Sequence, residues 1–159
     1  VAQIRDLNEQ AFGQPGEAKL VDALRGTVTP WISLVAVNAT DQVVGHILFT
    51  PISVESEGGA WSALGLAPMA VLPDHQRRGI GSTLVRAGLE ACRDQGHTVV
   101  FVLGHPQFYP RFGFKAAPPL GLRCKWDVPA DVFMVAELEE QGIAGRTGLI
   151  HYDAAFDGV

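Results

Sequence analysis

The sequence predicts one α/β domain on a mixed β-sheet, with antiparallel, α+β-like parts flanking a parallel centre. Three stretches predict it. Residues 31–55 read as a β-hairpin, residues 63–104 as strand, glycine turn, helix and strand, and residues 131–138 and 147–152 as two late strands. A hairpin is antiparallel by construction, whereas a strand that returns to its sheet through a helix is parallel and right-handed. With 159 residues the chain can bury one sizeable core, and halving it would leave two marginal ones. One domain over 1–159 is expected.

Each element has a local cause. Ile4, Leu7, Ala11 and Phe12 recur at helical spacing and Gly13 stops them; Leu20, Val21 and Leu24 share a face of a second helix that Gly26 ends. WISLVAV (31–37) and VVGHILFTPISVE (43–55) are β-rich, and NATDQ (38–42) between them is turn chemistry. SEGGAW (56–61) reads as a turn, and the apolar run 63–72 holds Pro68, which predicts a bulge or a broken ladder there. In STLVRAGLEACRDQG (82–96), Leu84, Val85, Gly88, Leu89 and Cys92 fall on one helical face and Gly96 ends the helix. HTVVFVLG (97–104) is almost continuously apolar, as a strand buried on both faces must be. His46 lies within a strand and reads as structural.

Composition excludes several classes. Hydrophobic residues at 47% and charged residues at 18% do not describe a disordered chain. No apolar run is long enough for a membrane helix, and no basic segment followed by an apolar block marks a signal peptide. Numbering starts at Val1, so residues upstream are expected. A formal net charge of −5 opposes a nucleic-acid-binding role. Cys92 and Cys124 lack the spacing of a zinc site, so no metal is expected, and a reduced, cytoplasmic protein, monomer or homodimer, is the simplest expectation.

Chemistry concentrates in QRRGIG (76–81), between a strand and a helix. A helix N-terminus offers unpaired N–H groups and partial positive charge; glycines admit a diphosphate to the backbone, and Arg77 and Arg78 add formal charge. A turn that needs glycine only for its φ angles is the plainer reading. The P-loop string is absent, and a dinucleotide fingerprint fails because Leu84 stands where its third glycine belongs.

Gln-x-x-Gly-x-Gly after a strand, followed across a helix and a strand by FYPRFGF (108–114), resembles the paired signatures of the GCN5-related N-acetyltransferases, the GNAT superfamily. The wording LAPMAV, VLG, FYPRFGF and FMVAEL is similar to its bacterial YhbS-like branch. The resemblance implies the GNAT acyl-CoA N-acyltransferase fold, a central mixed sheet with splayed parallel strands flanked by helices, and acetyl-CoA as cosubstrate. It implies that the backbone of Met69, Ala70 and Val71 pairs with the pantetheine arm and that Gln76, Arg77, Arg78, Gly79, Ile80, Gly81 and Ser82 cradle the pyrophosphate. Tyr109 and Phe112 belong to the same cofactor surface. An amine attacks the thioester directly, the Val71 N–H polarises the carbonyl, and Tyr109 protonates the departing thiolate. Tyr109 is equally a residue type that fills a core.

His105 stands where the branch often has Asp, and two readings are open: a general base, or a loop histidine against CoA or solvent. The fold's usual first strand would precede residue 1, or its edge position is empty. The implied reaction is transfer of acetyl to a primary amine of a small molecule or peptide. The alternative is a non-catalytic acyl-CoA-binding module of the same fold. Residues 127–157 carry Asp127, Asp131, Glu137, Glu139, Glu140, Asp153 and Asp157 against Arg146, which suggests a cationic acceptor.

Overall fold

The computed structural model describes residues 2–26, 28, 30–143, 146–152 and 156. Helices α1 (Ala2–Phe12) and α2 (Gly16–Leu24) precede strands β1 (Ile32–Val37), β2 (Val43–Ser56) and β3 (Gly59–Val71). Helix α3 (Ile80–Asp94) leads into β4 (Val99–Leu103), and β5 (Lys115–Ala116), β6 (Leu122–Cys124), β7 (Phe133–Glu137) and β8 (Gly148–His151) follow. The strands form one eight-stranded sheet in the order β5-β7-β4-β3-β2-β8-β6, with β1 on the first half of β2. The mixed α/β architecture is the expected one. The hairpin β1–β2 is antiparallel, β3 and β4 are parallel, and β7 adds antiparallel to β4.

Several boundaries differ from expectation. The 56–61 turn shrinks to Glu57 and Gly58, because Ser56 Oγ donates to the Gly59 carbonyl and Trp61 already pairs with Val54. Strands β5 and β6 were not expected. Each is two or three residues long and gains its geometry from a partner, β5 from β7 and β6, in parallel, from β8. Strand β8 docks on the second half of β2 rather than on β7. No strand among the described residues pairs with the outer edge of β1.

Long strand β2 is covered on both faces, and its alternation assigns the layers. Ile47 and Phe49 meet Leu84, Val85, Leu89 and Cys92 of α3. Val44 and Leu48 face the other way, to Leu7 of α1 and to Leu20, Val21 and Leu24 of α2. Each such buried side chain stabilises the layer by roughly 1.5–3 kcal/mol. Arg5 on α1 pairs with Glu9 and with Asp22 of α2, tying the two helices. Below, Phe101 and Phe133 stack at 5.6 Å in a cluster with Leu122 and Ile150 that closes the lower sheet. Cys92 is buried, Cys124 half-buried, and both are free thiols; burial pushes Cys92 up to about 12. No helix among the described residues is long and apolar enough to cross a membrane.

Candidate functional site

The central parallel pair comes apart. β3 and β4 pair only over Leu64–Leu66 and Val100–Val102. Past Leu66, β3 bulges at Ala67–Pro68, where the register against β2 slips, and then follows β2 through Met69↔Ile47, Ala70↔His46 and Val71↔Gly45. The bulge expected at Pro68 is therefore present, and it stands at the mouth of a V whose other arm, β4, ends at Leu103.

Ladder geometry determines which backbone groups face the V. The Leu72 N–H donates to the Val44 carbonyl at 2.9 Å. Antiparallel pairs alternate, so Ala70 also spends its N–H and C=O on β2, whereas those of Met69 and Val71 turn toward the opening. The Val71 carbonyl already accepts from Gln76 Nε2 at 3.0 Å, which agrees with this phase. Of the three residues expected to offer backbone, Met69 and Val71 do; Ala70 is directed to β2, with its side chain buried against Leu7.

The glycine turn follows at once. Pro73–His75 form a single 3-10 turn, Arg77 and Gly79 have φ of 64° and 83°, and α3 starts at Ile80. Gly79 caps the helix in the left-handed region without a side-chain bond, so the first N–H groups of α3 are left facing outward. Gly79 is thus accounted for by the turn. Gly81 is not: a Cβ there would lie 3.7 Å from Met69 Cε and Phe108 Cζ, in ordinary contact, so the protein itself has room for one.

Between these walls lies a cleft of ≈ 780 Å³, within the usual size of a small-molecule site. Met69, Val71, His75, Gln76, Arg77, Gly79, Gly81 and Ser82 line one side and His105, Gln107, Phe108 and Arg111 the other. No carboxylate is among them, and Arg77 and Arg111 make the cleft cationic. Arg78 and Ile80, expected in the phosphate cradle, instead border a separate apolar groove between β1 and α3. Phe112 packs on the core under Arg86, whose guanidinium sits 5.1 Å from its ring, and is off the cleft wall. Sequence reading missed His75, Gln107, Phe108 and Arg111 as cleft residues. Arg111 carried a signal, as the one cation inside the aromatic FYPRFGF string.

Tyr109 is 6% exposed, with Phe108 edge-on at 5.0 Å and Phe114 at 5.6 Å. Burial pushes its phenol up to about 12, so it is protonated at neutral pH. The ring is core: it packs against the end of β4, where the strands part, and Tyr109 is not among the residues that line the cleft. His105 is exposed on the cleft wall. Among the described residues, none of the acids expected to steer a cationic amine lines this cleft. Glu137 binds Lys115 at 3.3 Å, accepts from the Ile143 N–H at 3.5 Å, and pairs across Val99, at the far end of β4 from the V. Glu139 and Glu140 follow it, and Asp153 and Asp157 lie outside the described residues. Asp131 is nearer, beside Val132, whose carbonyl accepts from the Gly104 N–H.

Comparison with known proteins gives a consistent picture. Residues 1–117 match the family model of the acetyltransferase (GNAT) domain. The N-acetyltransferase YhbS of Escherichia coli K12 is 36% identical over 151 residues, covering 95% of this chain and 89% of that protein. The crystal structure of E. coli YhbS in complex with CoA superposes with a TM-score of 0.90 at 35% identity, over 98% of this chain and 86% of that one. A GNAT family acetyltransferase from Brucella melitensis, solved with acetyl-CoA, gives a TM-score of 0.79 at 35% identity, covering 98% and 91%.

Proposed function

The chain belongs to the GNAT family of acetyltransferases, and from that premise we propose that it transfers the acetyl group of acetyl-CoA to a primary amine of a small molecule or peptide in a ternary complex. The observation that carries the reading is the continuity of the cleft. It runs from the outward-turned backbone of Met69 and Val71, past Gly81, to the open N-terminus of α3 and Arg77. An extended thioester arm ending in a diphosphate has that same sequence of demands: amide partners for the arm, then N–H groups and cations for the phosphates. Gln76, Arg77, Gly79, Gly81 and Ser82 take the diphosphate in this reading, and Arg78 and Ile80 shape the turn from its other side.

The amine nitrogen attacks the carbonyl carbon of the thioester. The C–N bond forms, the Val71 N–H stabilises the oxyanion, the C–S bond breaks, and the sulfur takes the Tyr109 phenolic proton. The amine gives up its own proton, which His105, one of two histidines with His75 on the cleft, takes in this reading. A positively charged acceptor draws no support from Glu137, which Lys115 neutralises at the other end of the sheet.

Thiol release from acetyl-CoA, followed across a panel of primary amines, tests the reading, with a melting-temperature rise on acetyl-CoA as the binding control. Turnover of at least one amine with stoichiometric acetylated product is the expected result. A melting shift with no thiol release from any amine would favour the non-catalytic acyl-CoA-binding module.

A further inference from the structure

On the face of the sheet opposite α3, aromatic side chains gather where the V forks. Gly65 of β3 pairs with Phe101 of β4, inside the short stretch that still holds the two strands together. Leu64 and Leu66 belong to the cluster on the α3 side, so alternation turns Gly65 to the other face. There Tyr152 takes the space of a side chain: a Cβ on Gly65 would lie 2.9 Å from Tyr152 Cε1. Trp126 packs on Tyr152 with ring centres 5.2 Å apart. The Cys124 thiol donates to the Trp126 carbonyl at 3.5 Å and so helps hold the turn that carries the indole.

Beside Trp126 lies a cavity of ≈ 220 Å³. Trp126, Phe133, Val128 and Pro118 give it apolar walls, and Ala130 is an exposed part of its lining. Phe133 is directly opposite Leu103, the last residue of β4, and the Gly104 N–H donates to the Val132 carbonyl at 3.0 Å. That wall is therefore one strand spacing, ~4.8 Å, from the β4 arm of the V. Two contacts tie the cavity to the fork: Phe133 through β4, and Trp126 through Tyr152. An apolar cavity of about 150 Å³ holds benzene, so this one has room for a single aromatic ring. Among the described residues, Arg123 is the one charged side chain on its wall, while Asp127 and Asp131 are exposed and off it. Lys125 Nζ lies 5.2 Å from the centre of the Trp126 ring. A second ammonium group of an acceptor would meet like charge here, and a neutral ring would not.

We propose that this cavity receives an aromatic ring of the acceptor, so that the acceptor class is arylalkylamines rather than small aliphatic amines or polyamines. The inference rests on the acetyltransferase reading above and adds the group by which the acceptor is recognised. With the ring between Trp126 and Phe133, a short alkyl chain carries the amine past the end of β4 toward the thioester at Val71. Contact with the two rings adds to the burial of apolar surface.

The test compares thiol release with benzylamine, 2-phenylethylamine and 3-phenylpropylamine against methylamine, ethylamine and propylamine, with spermidine as the polyamine. At least one aromatic amine should exceed its aliphatic counterpart by roughly tenfold to a hundredfold in kcat/KM, and should exceed spermidine. Ala130→Phe, at an exposed position, supplies the cavity with a ring of the chain's own. It should bring the aromatic-to-aliphatic ratio close to one and keep the acetyl-CoA-induced rise in melting temperature. Val128→Phe should do the same, and replaces Ala130→Phe if that variant melts well below the wild type. A second readout needs no turnover. Titration calorimetry of the aromatic amines into the CoA-bound protein should show saturable binding that the ring-filling variant removes. Equal or better turnover of the aliphatic amines or of spermidine overturns the proposal while the acetyltransferase reading stands. So does an aromatic preference that survives both variants. If acetyl-CoA binds and no amine in the panel is acetylated, absence of calorimetric binding overturns it as well. Failure of acetyl-CoA to bind at all removes both readings together.

Discussion

Gly104 and Tyr109 lie against each other at the end of β4: a Cβ on Gly104 would overlap the Tyr109 ring. The residue just past the strand is therefore bare because the phenol needs its place. Phe108 and Phe114 hold the ring from the other sides. Gly104→Ala is expected to push Tyr109 from that position and to cost roughly 1–3 kcal/mol, as small overpacking substitutions in cores do. Turnover should fall more than acetyl-CoA affinity, because the cleft wall is formed by Phe108 and not by the phenol. Calorimetric affinity beside single-turnover rates separates the two effects; equal losses in both would assign Gly104 to packing alone.

Tyr109→Phe keeps the ring and removes the proton. The expected loss in the acetyl-transfer step is roughly 10²–10⁴-fold, with acetyl-CoA binding and stability nearly unchanged. Single-turnover measurement is required, since product release can hide a chemical step. Burial also raises the phenol's folded-state value to about 12 from 10.0, so its contribution to stability is whole below pH 10 and is lost as pH rises toward 12. The melting temperature of the wild type should fall over that window, and less of the fall should remain in Tyr109→Phe.

His46 has the opposite sign. Burial first, and the Arg25 charge second, lower its folded-state value to about 4 from 6.5. A depressed histidine adds stability that is fully present above pH 6.5 and is lost as pH falls toward 4. The shift corresponds to about 3 kcal/mol. Thermal unfolding across that window should show the loss in the wild type, and His46→Gln, which cannot take up a proton, should show a clearly shallower slope. Parallel curves for the two proteins would mean that other groups drive acid unfolding.

How much of this was legible in the sequence depended on whether a signal was local. The β1–β2 hairpin, the α3 crossover and the break at Pro68 are written in alternation, glycines and one proline, and all three are where they were expected. β5 and β6 carry no such pattern, because two- and three-residue strands exist only through β7 and β8. Among site residues, the turn from Gln76 to Ser82 announced itself, but the side each residue faces did not. Arg77 enters the cleft and Arg78 leaves it, a difference made by one positive φ at Arg77. Ala70 fails as a backbone donor for a similar reason: ladder phase is a property of the pair β2–β3 and not of either string.

Gly81 separates ligand from fold. Its Cβ would make only ordinary contacts at 3.7 Å, so Gly81→Ala should keep the wild-type melting temperature in the absence of ligand. Gly81→Asp should behave alike in stability and lose the acetyl-CoA-induced rise, since it sets bulk and negative charge where the diphosphate is assigned. Gly79→Ala differs: φ of 83° makes it strained, with an expected cost of about 1 kcal/mol before any ligand is added. Wild-type acetyl-CoA affinity in Gly81→Asp would remove the diphosphate from this turn.

Arg111 gives the last prediction. It lines the cleft on the wall opposite the glycine turn, with its guanidinium 5.5 Å from the centre of the Phe108 ring. Stacking on an aromatic face holds a guanidinium in one plane and leaves its N–H edges for an anion. Arg77 and the N-terminus of α3 supply charge from the first wall, so a phosphate in the cleft would be gripped from two sides. Because Arg111 is exposed, water and salt screen it, and its share of affinity should be modest. Arg111→Ala is expected to raise the acetyl-CoA Kd roughly three- to tenfold. Ionic strength supplies the control. Raising salt from 0.1 M to 1 M shortens the screening length from about 10 Å to about 3 Å, and wild-type affinity should fall more steeply than that of the variant. Arg111→Lys should recover part of the affinity through charge and little of it through stacking. Identical salt slopes for wild type and Arg111→Ala would show that the opposite wall takes no part in holding the phosphates.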